Sequence, residues 1–195
     1  MKARYIDPEE VERLAIGAGD QTQLILWLLE ITGLRIGDLL KVRVSDLSED
    51  PPGIRYVAQK TGKPGFAPVP SYLVREMRKH SRYGWVFPSP VKRRAHLTRQ
   101  AVWASVKRAA ARAGVDAEGV SPHSYRKAFA VRVLKDEGLA AAKEALQHED
   151  TATTEIYALS DYVTGENAEK PILRKDLPMI LHEIARALQI SLDKN

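Results

Sequence analysis

Four short stretches of this chain carry side chains whose types and spacing can act on a phosphate. In Thr32-Gly33-Leu34-Arg35-Ile36-Gly37-Asp38, Arg35 follows a glycine that ends one helical pattern and stands at the mouth of the next. A guanidinium there can present its planar fork to a phosphate, as a lysine point charge cannot. Asp38, three residues on, shares the helical face and can orient that fork or the nearby chain. An ordinary surface ion pair fits the same letters. In Ser121-Pro122-His123-Ser124-Tyr125-Arg126, Ser121 is expected to cap a helix that Pro122 opens, leaving His123 and Arg126 on one face of its first turn. Helix N-termini favour anions, so an imidazole and a guanidinium added there make a phosphate site with a proton-transfer group. The plainer reading is a solvated pair at a helix start.

The third stretch is Leu146-Gln147-His148-Glu149-Asp150, with Tyr157 nine positions after His148. A lone tyrosine on a short helix is ordinarily a half-buried packing residue. Its phenol, with a pKa of about 10, is a poor nucleophile near neutral pH unless several positive groups surround it. The fourth is Gln59-Lys60-Thr61-Gly62-Lys63. A lysine at a hairpin tip commonly protects a sheet edge; it can also be a mobile proton donor reaching into a site built by other elements.

The elements that must position these groups are mostly helices. Asp7-Pro8-Glu9-Glu10 combines a cap, a first-turn proline and a glutamate three residues after the cap. Residues 21–32 are apolar nearly all round and stop at Gly33, which predicts a buried helix, with a short one from about Arg35 to Val42. The period then changes: Ile54, Tyr56 and Ala58 alternate with Arg55, Val57 and Gln59, and Phe66 to Val69 follows a glycine-bearing turn. That predicts a β-hairpin with its second, proline-containing strand at an edge. Further helices are expected over 71–80, 98–113, 122–137, 140–146, 151–159 and 178–190. The expected fold is mainly α with one small antiparallel β-sheet (α+β). The whole of 1–195 is expected to be one domain, with a core at about 7–159, a polar linker at 160–176 and a C-terminal helix at about 177–190.

Composition narrows the functions available. With 44% hydrophobic and 28% charged residues the chain has the balance of a globular protein. A formal charge of +5 favours a polyanionic partner. With no cysteine, the chain has no disulfide framework, thiolate zinc site or cysteine nucleophile. There is no P-loop phrase and no carboxylate cluster. The longest apolar run, Leu24 to Leu29, is too short to span a bilayer, and the N-terminus lacks a signal-peptide pattern. A cytoplasmic protein without membrane contact is expected.

Taken in order, these phrases resemble the tyrosine recombinase (phage integrase) family from about Asp7 to Leu159. The family's T-G-L-R-x-x-[ED] phrase corresponds to Thr32 to Asp38, and its H-x-x-R box to His123 to Arg126. Its L-G-H box, with the tyrosine nine residues on, corresponds to Leu146-Gln147-His148 and Tyr157. Its hairpin K-T-G corresponds to Lys60-Thr61-Gly62 before Pro68-Val69-Pro70. Gln147 departs from the family's glycine. The resemblance implies a catalytic domain that cuts and rejoins double-stranded DNA through a 3′-phosphotyrosyl link, without metal or ATP. Tyr157 would be the nucleophile and Arg35 and Arg126 would hold the phosphate oxygens. Lys60 would protonate the leaving oxygen, His123 would take the tyrosine proton, and His148 would add a phosphate hydrogen bond, with Asp38 behind them. It also implies an N-terminal DNA-clamp domain, expected here to be absent, and self-assembly on DNA, as a tetramer in recombination, through the C-terminal helix, whose plainer reading is a helix folded back on its own core.

Wider grip on DNA is expected from Lys92, Arg93, Arg94, Arg108 and Arg112, whose plainer reading is a solvated face. Two other functions fit parts of the pattern: relaxation of DNA in the manner of a type IB topoisomerase, and a DNA-binding module whose catalytic set is idle.

Overall fold

A computed structural model describes residues 3–145. The chain divides into two units, Met1–Phe129 and Ala130–Asn195. In the first, α1 (Pro8–Ile16) starts as its letters require. Asp7 accepts from the Glu10 N–H, and the Glu10 carboxylate reaches back to the Asp7 N–H. That carboxylate is also gripped by both terminal nitrogens of Arg4, at 2.6 and 2.9 Å. Next comes α2 (Asp20–Thr32), which has no side-chain cap and so relies on burial. Leu24, Ile25, Leu26, Leu28 and Leu29 are all at most 2% exposed. At about 1.5–3 kcal/mol for each fully buried aliphatic side chain, this outweighs anything a cap could add.

After α3 (Ile36–Leu40) and a 3-10 turn (Val44–Asp46), the chain forms β1 (Leu47–Glu49), β2 (Pro52–Val57) and β3 (Pro64–Pro68). These make one antiparallel sheet in the order β1-β2-β3. The hairpin and its edge strand are where the alternation put them, with Ile54 opposite Ala67 and Tyr56 opposite Gly65. Ile54 and Ala58 are buried on the inner face, while Arg55 and Val57 are exposed on the other. β1 is an addition to the two strands expected from sequence; its three residues are too few to show a period.

α4 (Ser71–His80) packs on β1 and β2, and α3 packs on α2, β2 and α5 (Arg99–Ala113). α1 lies against α2 and α5. The shared core includes Ile6, Leu14, Leu39, Ile54, Met77, Phe87, Val102, Val106 and Tyr125, all fully buried. α6 (Pro122–Ala145) opens at its proline. The expected Ser121 side-chain cap is not formed: its hydroxyl is buried without a hydrogen-bond partner among the described residues. The bond runs the other way, Ser124 Oγ accepting from the Ser121 N–H at 3.2 Å and donating to the Gly119 carbonyl at 3.3 Å.

Of the second unit, 130–145 is described, as the C-terminal part of α6. Gly138 interrupts it at φ 84°, ψ 179°, between the two helices expected to end at Glu137 and begin at Ala140. The helices expected over 151–159 and 178–190, and the linker between them, lie outside the described residues. Among those described, no helix is long and apolar enough to cross a membrane.

Candidate active site

The turn between α2 and α3 organises the site. Thr32 turns its hydroxyl back to the Leu28 carbonyl and accepts from the Leu34 N–H at 3.3 Å, closing the last turn of α2. Gly33 then takes the left-handed conformation, φ 62°, ψ 12°, with its N–H on the Leu29 carbonyl at 2.9 Å. A β-carbon on Gly33 would overlap the Phe129 ring of α6. The Arg126 guanidinium, one turn before Phe129 on α6, donates to the Gly33 carbonyl. Two residues after Gly33, Arg35 forms the extended N-cap of α3 and is half-buried. One turn thus locates both arginines.

Asp38 settles which of its two possible duties it performs. It is 5% exposed, and its Oδ1 accepts from the backbone N–H of Gln59 at 3.0 Å, just past the end of β2. It therefore holds the hairpin rather than a guanidinium. Lys60 follows immediately, exposed in the loop that leads to β3. Ala58 closes that loop: its N–H donates to the Lys63 carbonyl and its own carbonyl accepts from Thr61 and Gly62. Among the described residues Lys60 has no hydrogen bond or ion pair, so its ammonium is held only through the backbone. Asp38→Ala is expected to destabilise the fold by about 1–3 kcal/mol through loss of this buried hydrogen bond, with Asp38→Asn, which keeps an acceptor oxygen, affected less. Thermal melts of the two variants beside wild type check this.

Tyr56 is a member of the site that its sequence context did not flag. It lies on the inner face of β2 between Ile54 and Ala58, half-buried, with its phenol in the field of Arg126, Asp38 and Arg35. Burial raises its pKa above the ordinary phenol value; Asp38 adds to that, while Arg126 and Arg35 oppose it. The hydroxyl is thus a protonated donor at neutral pH. The available signal was its place on the alternating face that also carries two core residues.

The remaining candidates are more scattered. His123 is exposed in the first turn of α6, one turn from Arg126. Lys92, Arg93 and Arg94 lie on an exposed loop whose shape is held by the Trp85 indole, which donates to the Arg94 carbonyl at 2.9 Å. On α5, Arg108 donates to Ser105 Oγ at 2.8 Å, and Arg112 to the Gly17 carbonyl at the end of α1, at 3.0 Å. The Arg112 guanidinium therefore also has a structural partner. His148 and Tyr157 lie outside the described residues. Among those described, no group of histidine, aspartate and glutamate side chains could hold a metal ion.

Comparison with known proteins settles the family. The model of the phage integrase family matches residues 4–163, most of the chain and all of the phrases discussed above. The chain belongs to the phage integrase family. As a phage integrase family member it resembles the protein named tyrosine recombinase XerD of Caulobacter vibrioides, at 33% identity over 184 residues, covering 84% of this chain and 59% of that one. It is also 33% identical over 142 residues to the XerD of Rhizobium meliloti, covering 68% of this chain and 45% of that one. The chain thus spans about half the length of the curated family members it matches. Among solved structures it superposes on the XerA recombinase with a TM-score of 0.66 at 22% identity, covering 97% of this chain and 66% of that one. A lambda integrase dimer bound to a COC′ core site gives a TM-score of 0.67 at 20% identity, covering 80% of this chain and 48% of that one. At such identities these likenesses establish the fold: the tyrosine recombinase catalytic domain.

Proposed function

We propose that this chain is the catalytic domain of a site-specific DNA recombinase that works through a tyrosine nucleophile. The observation that carries the reading is the pairing of Arg35 and Arg126 about the single Gly33 turn, in a chain of this family. Two guanidinium groups fixed from one turn suit the non-bridging oxygens of a phosphodiester and the charge that grows on them in a pentacoordinate transition state. Tyr157 Oη attacks the scissile phosphorus, and its proton passes to His123. The bond to the 5′-oxygen breaks, and Lys60 protonates that oxygen as it leaves. A 3′-phosphotyrosyl link and a free 5′-hydroxyl result, and attack by another 5′-hydroxyl reverses the step on a new strand. The bond exchange is nearly isoenergetic, so no nucleotide need be spent. His148 adds a hydrogen bond to the phosphate.

Double-stranded DNA is the substrate on this reading, with grip on the backbone from Lys92, Arg93, Arg94 and Arg108. The amphipathic run Leu177, Ile180, Leu181, Ile184 and Leu188 docks on a neighbouring copy, so that assembly of four copies governs presentation of the nucleophile.

The test is covalent capture. The chain is incubated in EDTA with nicked suicide duplexes of randomised sequence, and adducts are separated under denaturing conditions and mapped. A DNA-linked peptide containing Tyr157, absent in Tyr157→Phe, is expected. An adduct that persists in that variant, or activity that disappears on chelation, would sink the proposal. Adding a second duplex separates strand exchange from simple relaxation.

A further inference from the structure

Besides the two arginines, the described part of the site contains one uncharged group able to donate a hydrogen bond from inside it. Tyr56 projects from the inner face of β2, the face that carries the buried Ile54 and Ala58. Directly across the sheet its partner is Gly65, which has no side chain to cover the phenol, and the next inward position on β3 is only Ala67. The strand is held against α3 by the Asp38–Gln59 hydrogen bond three residues later. That places β2 against α3, which begins at Arg35 just after the turn that Arg126 of α6 grips, and Arg126, Asp38 and Arg35 are the charges whose field reaches the phenol.

The hydroxyl itself is unspent. The buried Tyr125 passes its hydroxyl to the Val11 carbonyl at 3.4 Å. Tyr56, by contrast, makes no hydrogen bond with any described residue. A ring needed only for packing at this half-buried position would do as well as phenylalanine. A phenol with an unused O–H on the strand that packs against α3, within the field of two guanidinium groups and near a buried carboxylate that is already occupied, is instead equipped to receive an anion. Arginine forks bring charge, but each is a donor whose desolvation is costly. A neutral O–H adds a directed hydrogen bond without further positive charge, and such preorganised donors act most strongly where negative charge develops.

We propose that the Tyr56 hydroxyl is a third donor to the scissile phosphate, bonding one non-bridging oxygen alongside Arg35 and Arg126. This rests on the recombinase reading above. Tyr56 forms no covalent bond and transfers no proton: it stays protonated throughout, and its hydrogen bond shortens as the oxygen gains charge.

The test uses the suicide duplex that the wild-type chain captures most from the randomised pool. It is made as the ordinary phosphodiester and as each of the two methylphosphonate diastereomers at the scissile position. Tyr56→Phe keeps the ring and removes the donor. Its single-turnover cleavage of the phosphodiester is expected to fall about ten- to hundredfold, with melting temperature and half-site affinity close to wild type. On the diastereomer that lacks the oxygen served by Tyr56, wild type and Tyr56→Phe should cleave at the same rate; on the other, the defect should persist. A merely structural tyrosine would give the same defect on all three substrates, and that result overturns the inference. So does cleavage of the phosphodiester by Tyr56→Phe within twofold of wild type. If the wild-type chain captures no duplex at all, the recombinase reading fails, and the inference falls with it.

Discussion

Arg126→Lys is expected to slow strand cleavage by about a hundred- to a thousandfold while changing half-site DNA affinity by no more than about threefold. Arg126 does two things at once. One nitrogen of its fork donates to the Gly33 carbonyl, and the planar group carries its other N–H donors in a fixed geometry relative to that bond. A lysine has the charge but not the fork. It can satisfy the carbonyl or approach the phosphate, and it cannot hold a fixed line between them. Overall affinity should persist because most of it comes from backbone phosphates elsewhere, so the loss belongs to the transition state. Arg35→Lys should behave in the same way from the other side of the turn. Rates under single-turnover conditions, with affinity measured on an uncleavable half-site, make the comparison. Cleavage by Arg126→Lys within tenfold of wild type would remove that fork from the phosphate.

Gly33→Ala is expected to cost about 2–5 kcal/mol of stability, a fall in melting temperature of roughly 5–15 °C for a domain of this size. Two terms add. The left-handed backbone at φ 62° disfavours any β-carbon, and the space the methyl would need is occupied by the Phe129 ring. Gly62 separates the two. It also has positive φ, at 69°, but nothing lies within 4 Å of a β-carbon there. Gly62→Ala should therefore show the backbone term alone, about 1–2 kcal/mol. Thermal melts of both variants beside wild type measure the difference. A Gly33→Ala melt no lower than that of Gly62→Ala would mean that Phe129 yields freely and does not define the turn. At a temperature where Gly33→Ala is still folded, its cleavage should remain impaired, because the carbonyl that Arg126 grips has moved.

What could be read from the letters was local. The capping box at Asp7 and Glu10, the buried run of α2, its stop at Gly33, and the alternation of Ile54, Tyr56 and Ala58 depend on neighbours within a few residues. Those features are found where expected. The order of the four phrases also sufficed to place the chain in its family. Features set by distant neighbours were not legible. Tyr56 joins the site because β2 faces α3, a pairing no window of the sequence contains. Arg112 looks like free surface charge until α5 brings it to the carbonyl at the end of α1. At Ser121 the letters suggested a hydroxyl cap, but packing buries that hydroxyl without a partner among the described residues, and Ser124 Oγ instead accepts from the Ser121 N–H. For Asp38 the letters allowed either an arginine or the chain as partner, and only the meeting of α3 with β2 selects the Gln59 N–H.

The two attachments described here also set where the chain can change length over evolutionary time. An extra residue between Gly33 and Ile36 would turn Arg35 around the axis of α3 and slide it away from Arg126, because both are placed by the same few atoms. The loop after Ala58 has no such obligation: Gly62 borders open space, and the register is held behind it, by the β2–β3 pairing and the Asp38–Gln59 hydrogen bond. Insertions of a residue or two beyond Lys60 would alter how far its ammonium reaches and leave the arginine forks untouched. Gaps among related sequences should accordingly collect in the hairpin tip and be missing from the α2–α3 turn.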